Sequence, residues 1–128
     1  MALRRMFSLR VVDTDVFLDM PLTTQALHFH LGMRADDDGF VASPNRIMRT
    51  IGASIDDLRV LISKQFIKKF DNGIIVILDW KRNNNIKNDR YYPTLYQTEK
   101  SQLAIENGRY VECLDPNKIQ NGSTDKDR

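Results

Sequence analysis

The stretch from Ser43 to Ser63 constrains the fold most, because it carries two helix-start signals only eleven residues apart. Ser43 precedes Pro44, and a serine hydroxyl can cap free amides while proline fits the first helical position without losing a hydrogen bond. Ser54 with Asp57 three residues later is a variant of the capping box. A glycine-alanine turn separates the two helices, the first ending near Thr50. We therefore predict two short helices that cross steeply.

Apolar spacing predicts the elements around this pair. Leu22 to Met33 has one broad apolar helical face, and Phe40 and Val41 can supply a very short strand. The β-prone runs 66–70 and 74–80 are joined by Asp71, Asn72 and Gly73, a strong hairpin signal. The predicted fold class is α+β, mainly α: a winged helix-turn-helix with a three-helix core and a two-stranded β-hairpin wing.

The length of 128 residues predicts one main domain, residues 1–100, followed by a polar C-terminal extension, residues 101–128, that is largely disordered. Across this boundary, residues 98–107 are expected to form a last helical turn or two that ends at Gly108. Cys113 is the single cysteine, which fits a reducing compartment. The start of the chain has no continuous apolar core, so we expect no membrane contact and a location in the cytoplasm.

The charge distribution is more informative than the net charge. The chain carries 19 basic and 17 acidic residues, a balance of +2 that by itself does not suggest nucleic acid. Between Leu58 and Arg90, however, the chain has eight lysines and arginines but only three aspartates. The basic residues therefore gather in the segment that a winged helix presents to DNA.

The third predicted helix and the hairpin supply the candidate contacts to double-stranded DNA. Arg59 and Ser63 point outward and are placed toward base edges, since arginine can pair bidentately with guanine. The other basic residues of helix two, helix three and the wing region are assigned to phosphates: Arg46, Arg49, Lys64, Lys68, Lys69, Lys81 and Arg82. Each of these residues is equally well explained as a solvated surface charge. Asp56 and Asp57 oppose phosphate binding, and capping is their structural explanation.

Other polar clusters are better explained structurally. Asp36, Asp37, Asp38 and Gly39 are read as a turn and not as a calcium loop, because the alternate spacing and the closing glutamate are missing. His28 and His30 point in different directions on a helix, so one is expected to pack and the other to meet water. With no catalytic constellation in the pattern, we predict a non-enzymatic protein without metal or cofactor. Trp80 is expected in the core; the nearby tyrosines are left open between packing and base stacking.

A series of ordered motifs resembles a known family. The motifs are RRMFS, FLDMP, QALHFHLGMRADDDGFV, IGAS with DDL, and WKRNNNIKNDRYYPTLY, spread from Arg4 to Glu99. They resemble the N-terminal domain of phage and prophage replisome organisers of Gram-positive bacteria, the DnaD-like replication proteins. The resemblance implies a winged helix that binds origin DNA or self-associates, and that recruits the host helicase through its loader. Such proteins usually continue into a helical C-terminal domain, and residues 101–128 would correspond to the linker before it.

Two alternatives to an origin-binding module remain open. One is a protein-interaction scaffold that forms homo-oligomers, with the RRMFS segment (Arg4–Ser8) as the part to test. The other is a transcriptional repressor, which uses the same fold and the same surface, so that the sequence cannot separate it from a replication protein.

Overall fold

The computed structural model describes residues 4–113. Along the chain the elements are α1 (Leu9–Val12), α2 (Asp15–Leu18), α3 (Leu22–Met33), β1 (Phe40–Val41), α4 (Pro44–Ile51), α5 (Ile55–Ser63), β2 (Ile67–Lys69), β3 (Ile75–Ile77), α6 (Trp80–Asn83), a 3-10 turn (Asn88–Arg90), α7 (Gln97–Lys100), β4 (Leu103–Glu106) and β5 (Arg109–Glu112). The α+β class is confirmed. No helix within residues 4–113 combines the length and apolar character needed to cross a bilayer.

Local signals place α4 and α5 where the sequence predicts them. The capping box at the start of α5 is present: the amide of Asp57 donates to Ser54 Oγ at 3.3 Å, and the Ser54 amide donates to Asp57 Oδ2 at 3.0 Å. Gly52 ends α4 with φ 81°, a conformation that favours glycine. The prediction that the Ser43 hydroxyl caps α4 is wrong, because the ψ of 66° at Ser43 departs from the extended backbone that aims a capping oxygen at the amides.

The three strands β1, β3 and β2 form one antiparallel sheet, with β3 in the centre. Val76 of β3 lies opposite Phe40 on one side and Lys68 on the other. All of β3 is buried, and the sheet shares its core with α3 and α5 through Leu31 and Leu61, which are both 0% exposed. Trp80 is in this core as predicted, and its indole N–H donates to the Asp37 carbonyl at 2.9 Å.

A second hairpin, β4–β5, replaces most of the predicted C-terminal helix. Only α7 is helical in this region, whereas Leu103–Glu106 is a strand. The reason is the pair Asn107 and Gly108, which adopt φ values of 54° and 80° between the paired residues Glu106 and Arg109. Such a two-residue Asn-Gly loop is a strong hairpin signal, and it outweighs the weak helical pattern.

This hairpin belongs to the packed structure. Tyr110 is 3% exposed, its amide donates to the Leu78 carbonyl at 2.8 Å, and its hydroxyl donates to the Asp38 carbonyl at 2.7 Å. The first thirteen residues of the predicted polar extension, 101–113, therefore pack against the domain. The rest of that extension, 114–128, lies outside the described residues.

Gly39 offers a test of the packing around Trp80. Its φ is +90°, and a Cβ built there would lie 2.7 Å from Trp80 Cγ; Gly73 has nearly the same φ, +87°, with no atom within 4 Å of its Cβ position. The left-handed backbone costs an alanine about 1 kcal/mol at either site. We expect Gly39→Ala to lose a further ~1–3 kcal/mol from overpacking. Urea denaturation of the two variants measures this difference, and equal losses would contradict it.

Candidate nucleic-acid interface

The outward face of α5 is fixed by a buried carboxylate at its first turn. Asp57 is 8% exposed and accepts hydrogen bonds from the hydroxyls of Thr23 and Thr24 at 2.9 and 2.8 Å. Burial opposes ionisation of Asp57, but the hydrogen bonds from Ser54 and the two threonines outweigh it and lower its pKa. These bonds join α5 to the start of α3. With Leu58 and Leu61 buried, the opposite side of α5 is left facing solvent.

The two aspartates that follow Ile55 have different roles. Asp57 performs the capping, whereas the side chain of Asp56 is 81% exposed. Asp56 accepts a hydrogen bond from Arg59 Nη1 at 3.1 Å, and the Arg59 side chain is itself 69% exposed. The capping explanation therefore holds for Asp57 only, and Arg59 carries a carboxylate partner on its own helix.

Four of the predicted basic residues project into solvent. Within residues 4–113, no acidic side chain lies within ion-pair distance of them, and no described group accepts a hydrogen bond from their side chains. They are Arg46 and Arg49 on α4, Lys64 at the end of α5 and Lys69 at the end of β2. Ser63 is exposed one residue before Lys64. These four residues are thus carried by α4, by the end of α5 and by the β2–β3 hairpin.

Three other predicted contacts have partners within the fold. Lys68 pairs with Glu112 of β5 and lies 5.3 Å from the Phe70 ring centroid. Lys81 Nζ lies 3.8 Å from Asp38 Oδ1, and Arg82 donates from Nε to the Asn107 carbonyl at 2.9 Å. The structure thus directs Lys68 and Arg82 toward the β4–β5 hairpin and Lys81 toward Asp38, and their role as phosphate contacts stays a prediction.

Asp36, Asp37 and Asp38 form the predicted turn, in which the Gly39 amide donates to the Asp36 carbonyl at 3.0 Å. The same three carboxylates also organise distant parts of the chain. Arg5 pairs with Asp37 at 3.0 Å, and both side chains are almost fully buried. Lys100 Nζ lies 3.2 Å from Asp38 Oδ1. We find no local sequence signal for these contacts, since the partners are 32 and 62 positions away.

Tyr91 lies between Asp38 and Lys100, and these groups change its pKa. Tyr91 donates its hydroxyl to Asp38, at 2.8 Å to Oδ2. Burial and the Asp38 carboxylate together raise the pKa of Tyr91. For Lys100 the hydrogen bonds to Tyr91 and Asp38 outweigh burial, which acts in the opposite direction, and the pKa is raised. The Asp36–Asp38 turn is therefore a buried polar centre of the fold.

The two histidines behave as the helical spacing predicts. His28 is 1% exposed, and neither ring nitrogen has a partner among the described residues. His30 is partly exposed, with Nδ1 3.0 Å from Arg34 Nη1. No group of three or more histidine, cysteine, aspartate or glutamate side chains within residues 4–113 is arranged to hold a metal ion.

Arg34 is a cation that the sequence pattern does not single out. It follows the last residue of α3 and, with Arg46, lines a shallow cleft at the start of α4. A basic residue directly after a helix resembles an ordinary C-terminal charge, so only the tertiary structure places it beside Arg46.

Comparisons with protein-family models, with curated proteins and with solved structures found no match to this chain. The assignment of function therefore depends on the geometry of the candidate interface and on the motif resemblance described above.

Proposed function

We propose that this chain is a winged helix-turn-helix module that binds double-stranded DNA. In this proposal α4 and α5 are the helix-turn-helix pair, α5 enters the major groove, and the β2–β3 hairpin is the wing. The observation that carries the proposal is the set of exposed cations around α4 and α5, namely Arg46, Arg49, Lys64 and Lys69, which have no acidic partner among residues 4–113.

Two kinds of contact are assigned to this interface. Arg46, Arg49, Lys64 and Lys69 neutralise phosphates, which provides affinity independent of sequence. Arg59 and Ser63 face base edges from the exposed side of α5, and Asp56 both orients Arg59 and repels phosphate. One such domain is therefore a modest binder, and tight binding requires more than one copy.

The biological context that we propose is replication initiation in a phage or prophage of a Gram-positive bacterium. The support for this context is the motif resemblance between Arg4 and Glu99. In that role the module binds origin DNA and helps to bring the host helicase or its loader to the site. A repressor would bind an operator through the same surface. Binding of the intact chain to duplexes from the phage origin and from its promoter regions distinguishes the two functions.

The DNA-binding proposal predicts a specific effect of the α4 arginines. We expect Arg46→Ala/Arg49→Ala to weaken binding to duplex DNA about tenfold or more at low salt, because two phosphate contacts are lost. The slope of log affinity against log salt is expected to fall by about 2. Fluorescence anisotropy with a labelled duplex, repeated over a salt series, measures both quantities.

The matched control is Arg4→Ala/Arg10→Ala, which removes two exposed cations from the N-terminal part of the chain, outside the basic segment 58–90. We expect this double variant to bind within about twofold of the unmodified chain, since only long-range charge is lost. Equal effects of the two double variants would place the interface elsewhere. Absence of salt-dependent binding by the intact chain at low salt would rule out the proposed function.

A further inference from the structure

The β2–β3 hairpin, which is the wing in the proposed function, is contacted by two carboxylates from later in the chain. Lys68 of β2 forms an ion pair with Glu112 of β5, 44 positions away. At the turn of the wing, Asn72 Nδ2 donates to Glu99 Oε2 at 3.0 Å. The segment 97–113 therefore contacts the wing both along β2 and at its turn.

The two cations of this segment are bonded to other parts of the fold. Lys100 Nζ lies 3.2 Å from Asp38 Oδ1, and Arg109 Nη1 lies 2.7 Å from Asp79 Oδ2. Both aspartates are buried. Because Lys100 and Arg109 are the only basic residues in segment 97–113, the charge that this segment directs toward the wing is negative.

The segment has its own attachments to the core and does not need the wing to hold it in place. Tyr110 is buried and donates its amide to the Leu78 carbonyl, and the Arg82 amide donates to the Gly108 carbonyl at 3.0 Å. The Glu112 side chain is 62% exposed, and an ion pair that faces solvent contributes little to folding stability. We therefore expect the carboxylates to act mainly on what approaches the wing.

A polar cleft of about 430 Å³ lies between the wing and this segment. Lys68, Lys69 and Asn72 line it from the wing, and Glu99 lines it from the segment. A phosphate that approaches Lys68 or Asn72 meets a carboxylate that is already bonded to the same donor, and the two anions repel each other. Lys69 has no such partner within residues 4–113.

We propose that segment 97–113 is an intramolecular inhibitor of DNA binding, in which Glu112 and Glu99 occupy wing donors that DNA phosphates would otherwise use. This regulation rests on the proposed function, because it requires the wing to face DNA. Lys68 contacts phosphate only when it exchanges Glu112 for DNA. The affinity of the module is therefore set by the exposed cations and by the strength of the Lys68–Glu112 pair together.

The first test measures binding of the intact chain to a labelled duplex by fluorescence anisotropy in about 0.1 M salt, where the Debye length is about 10 Å. Glu112→Gln keeps the size of the side chain and removes its charge. We expect this variant to bind about threefold to fivefold more tightly, and Glu99→Gln/Glu112→Gln about tenfold more tightly. The slope of log affinity against log salt is expected to steepen by about 1 in Glu112→Gln, because Lys68 becomes a phosphate contact.

The matched control is Glu106→Gln, which removes an exposed carboxylate from the same β4–β5 hairpin. Glu106 makes no ion pair within residues 4–113, so we expect its replacement to change affinity by less than about twofold. Equal gains from Glu106→Gln and Glu112→Gln, or no gain from Glu112→Gln, would overturn the inference.

A second test asks whether the gain depends on Lys68. Glu112→Gln is introduced into a Lys68→Gln chain, and the change in affinity is compared with the change in the unmodified chain. If Glu112 occupies Lys68, most of the gain is lost when this lysine is absent. The same gain in both chains would show that Glu112 acts only through its general charge, and would overturn the inference.

The outcomes separate this inference from the proposed function. An intact chain without salt-dependent binding at low salt rules out the proposed function. An intact chain that binds DNA, with an affinity that Glu112→Gln leaves unchanged, overturns the inhibition alone.

Discussion

Replacing Asp38 with alanine is expected to lower the free energy of unfolding by about 3 to 5 kcal/mol, because a buried, paired carboxylate is removed and its partners remain. The Asp38 side chain is fully buried. Its oxygens accept from the Tyr91 hydroxyl, the Thr94 amide and Lys100 Nζ at distances between 2.8 and 3.2 Å. In the variant the Thr94 amide, which is buried, has lost its acceptor.

Urea denaturation near neutral pH measures this loss. The matched control is Asp71→Ala, which removes an exposed aspartate from the β2–β3 turn. We expect that control to change stability by no more than about 0.5 kcal/mol. If the two variants unfolded at the same urea concentration, the Asp36–Asp38 turn would not be the centre of the polar network.

The second large effect is a loss of stability as the pH falls. His28 is surrounded by the rings of Phe7, Phe17, Phe29 and Phe66. Burial lowers the pKa of His28 from 6.5 to about 4, and the charge of Asp79 only partly opposes this shift. The unfolded chain therefore takes up a proton below pH 6.5, whereas the folded chain does so only near pH 4.

Between those two pH values the proton favours the unfolded state. We expect His28 alone to remove about 3 kcal/mol of stability as the pH falls from 6.5 to 4, with no further loss from this group below that range. Above pH 6.5 the His28 imidazole is neutral in the folded and unfolded states, so it does not change how the free energy of unfolding varies with pH. Unfolding free energies from urea titrations at intervals across this range measure the dependence.

Replacing His28 with leucine isolates the effect of protonating this side chain, since leucine is apolar, similar in volume to histidine and cannot be protonated. His28→Leu is expected to flatten the pH dependence by the same amount, leaving the contribution of the carboxylates. The control His30→Leu makes the same replacement at the partly exposed histidine two positions further along α3, and its stability is measured over the same pH range. An unchanged slope in His28→Leu would show that the buried imidazole does not control acid stability.

Local chemistry explains why much of the fold could be predicted. The capping box of Ser54 and Asp57, the left-handed glycine at the end of α4 and the glycine of the β2–β3 turn all act within a few residues. Their effects are therefore visible in the sequence itself. The β4–β5 hairpin was equally local, since Asn107 and Gly108 form its turn. The helix predicted for the preceding residues is wrong there, because a two-residue Asn-Gly turn outweighs a weak apolar pattern.

The residues of the candidate interface also differ in how far their surroundings could be predicted from the sequence. Arg46, Arg49 and Lys64 are exposed because the apolar spacing of α4 and α5 leaves them on the outer side, as the pattern predicts. Lys68, Lys81 and Arg82 belong to the same basic segment, yet their partners are Glu112, Asp38 and Asn107. Composition cannot distinguish the two groups, because a charge run does not reveal which long side chains reach an acceptor elsewhere in the chain.

By itself, the sequence determined the helix pair from Ser43 to Ser63, the hairpin that follows and the outward position of the α4 and α5 cations. Only the tertiary structure decided that Asp36–Asp38 binds Arg5, Tyr91 and Lys100, and that Glu112 pairs with Lys68 of the β2–β3 hairpin. The physical reason is the separation along the chain of the residues that interact. Capping and turn formation are decided by neighbouring residues, whereas burying the carboxylates of Asp37 and Asp38 requires donors from both ends of the chain, which meet only when the core has packed.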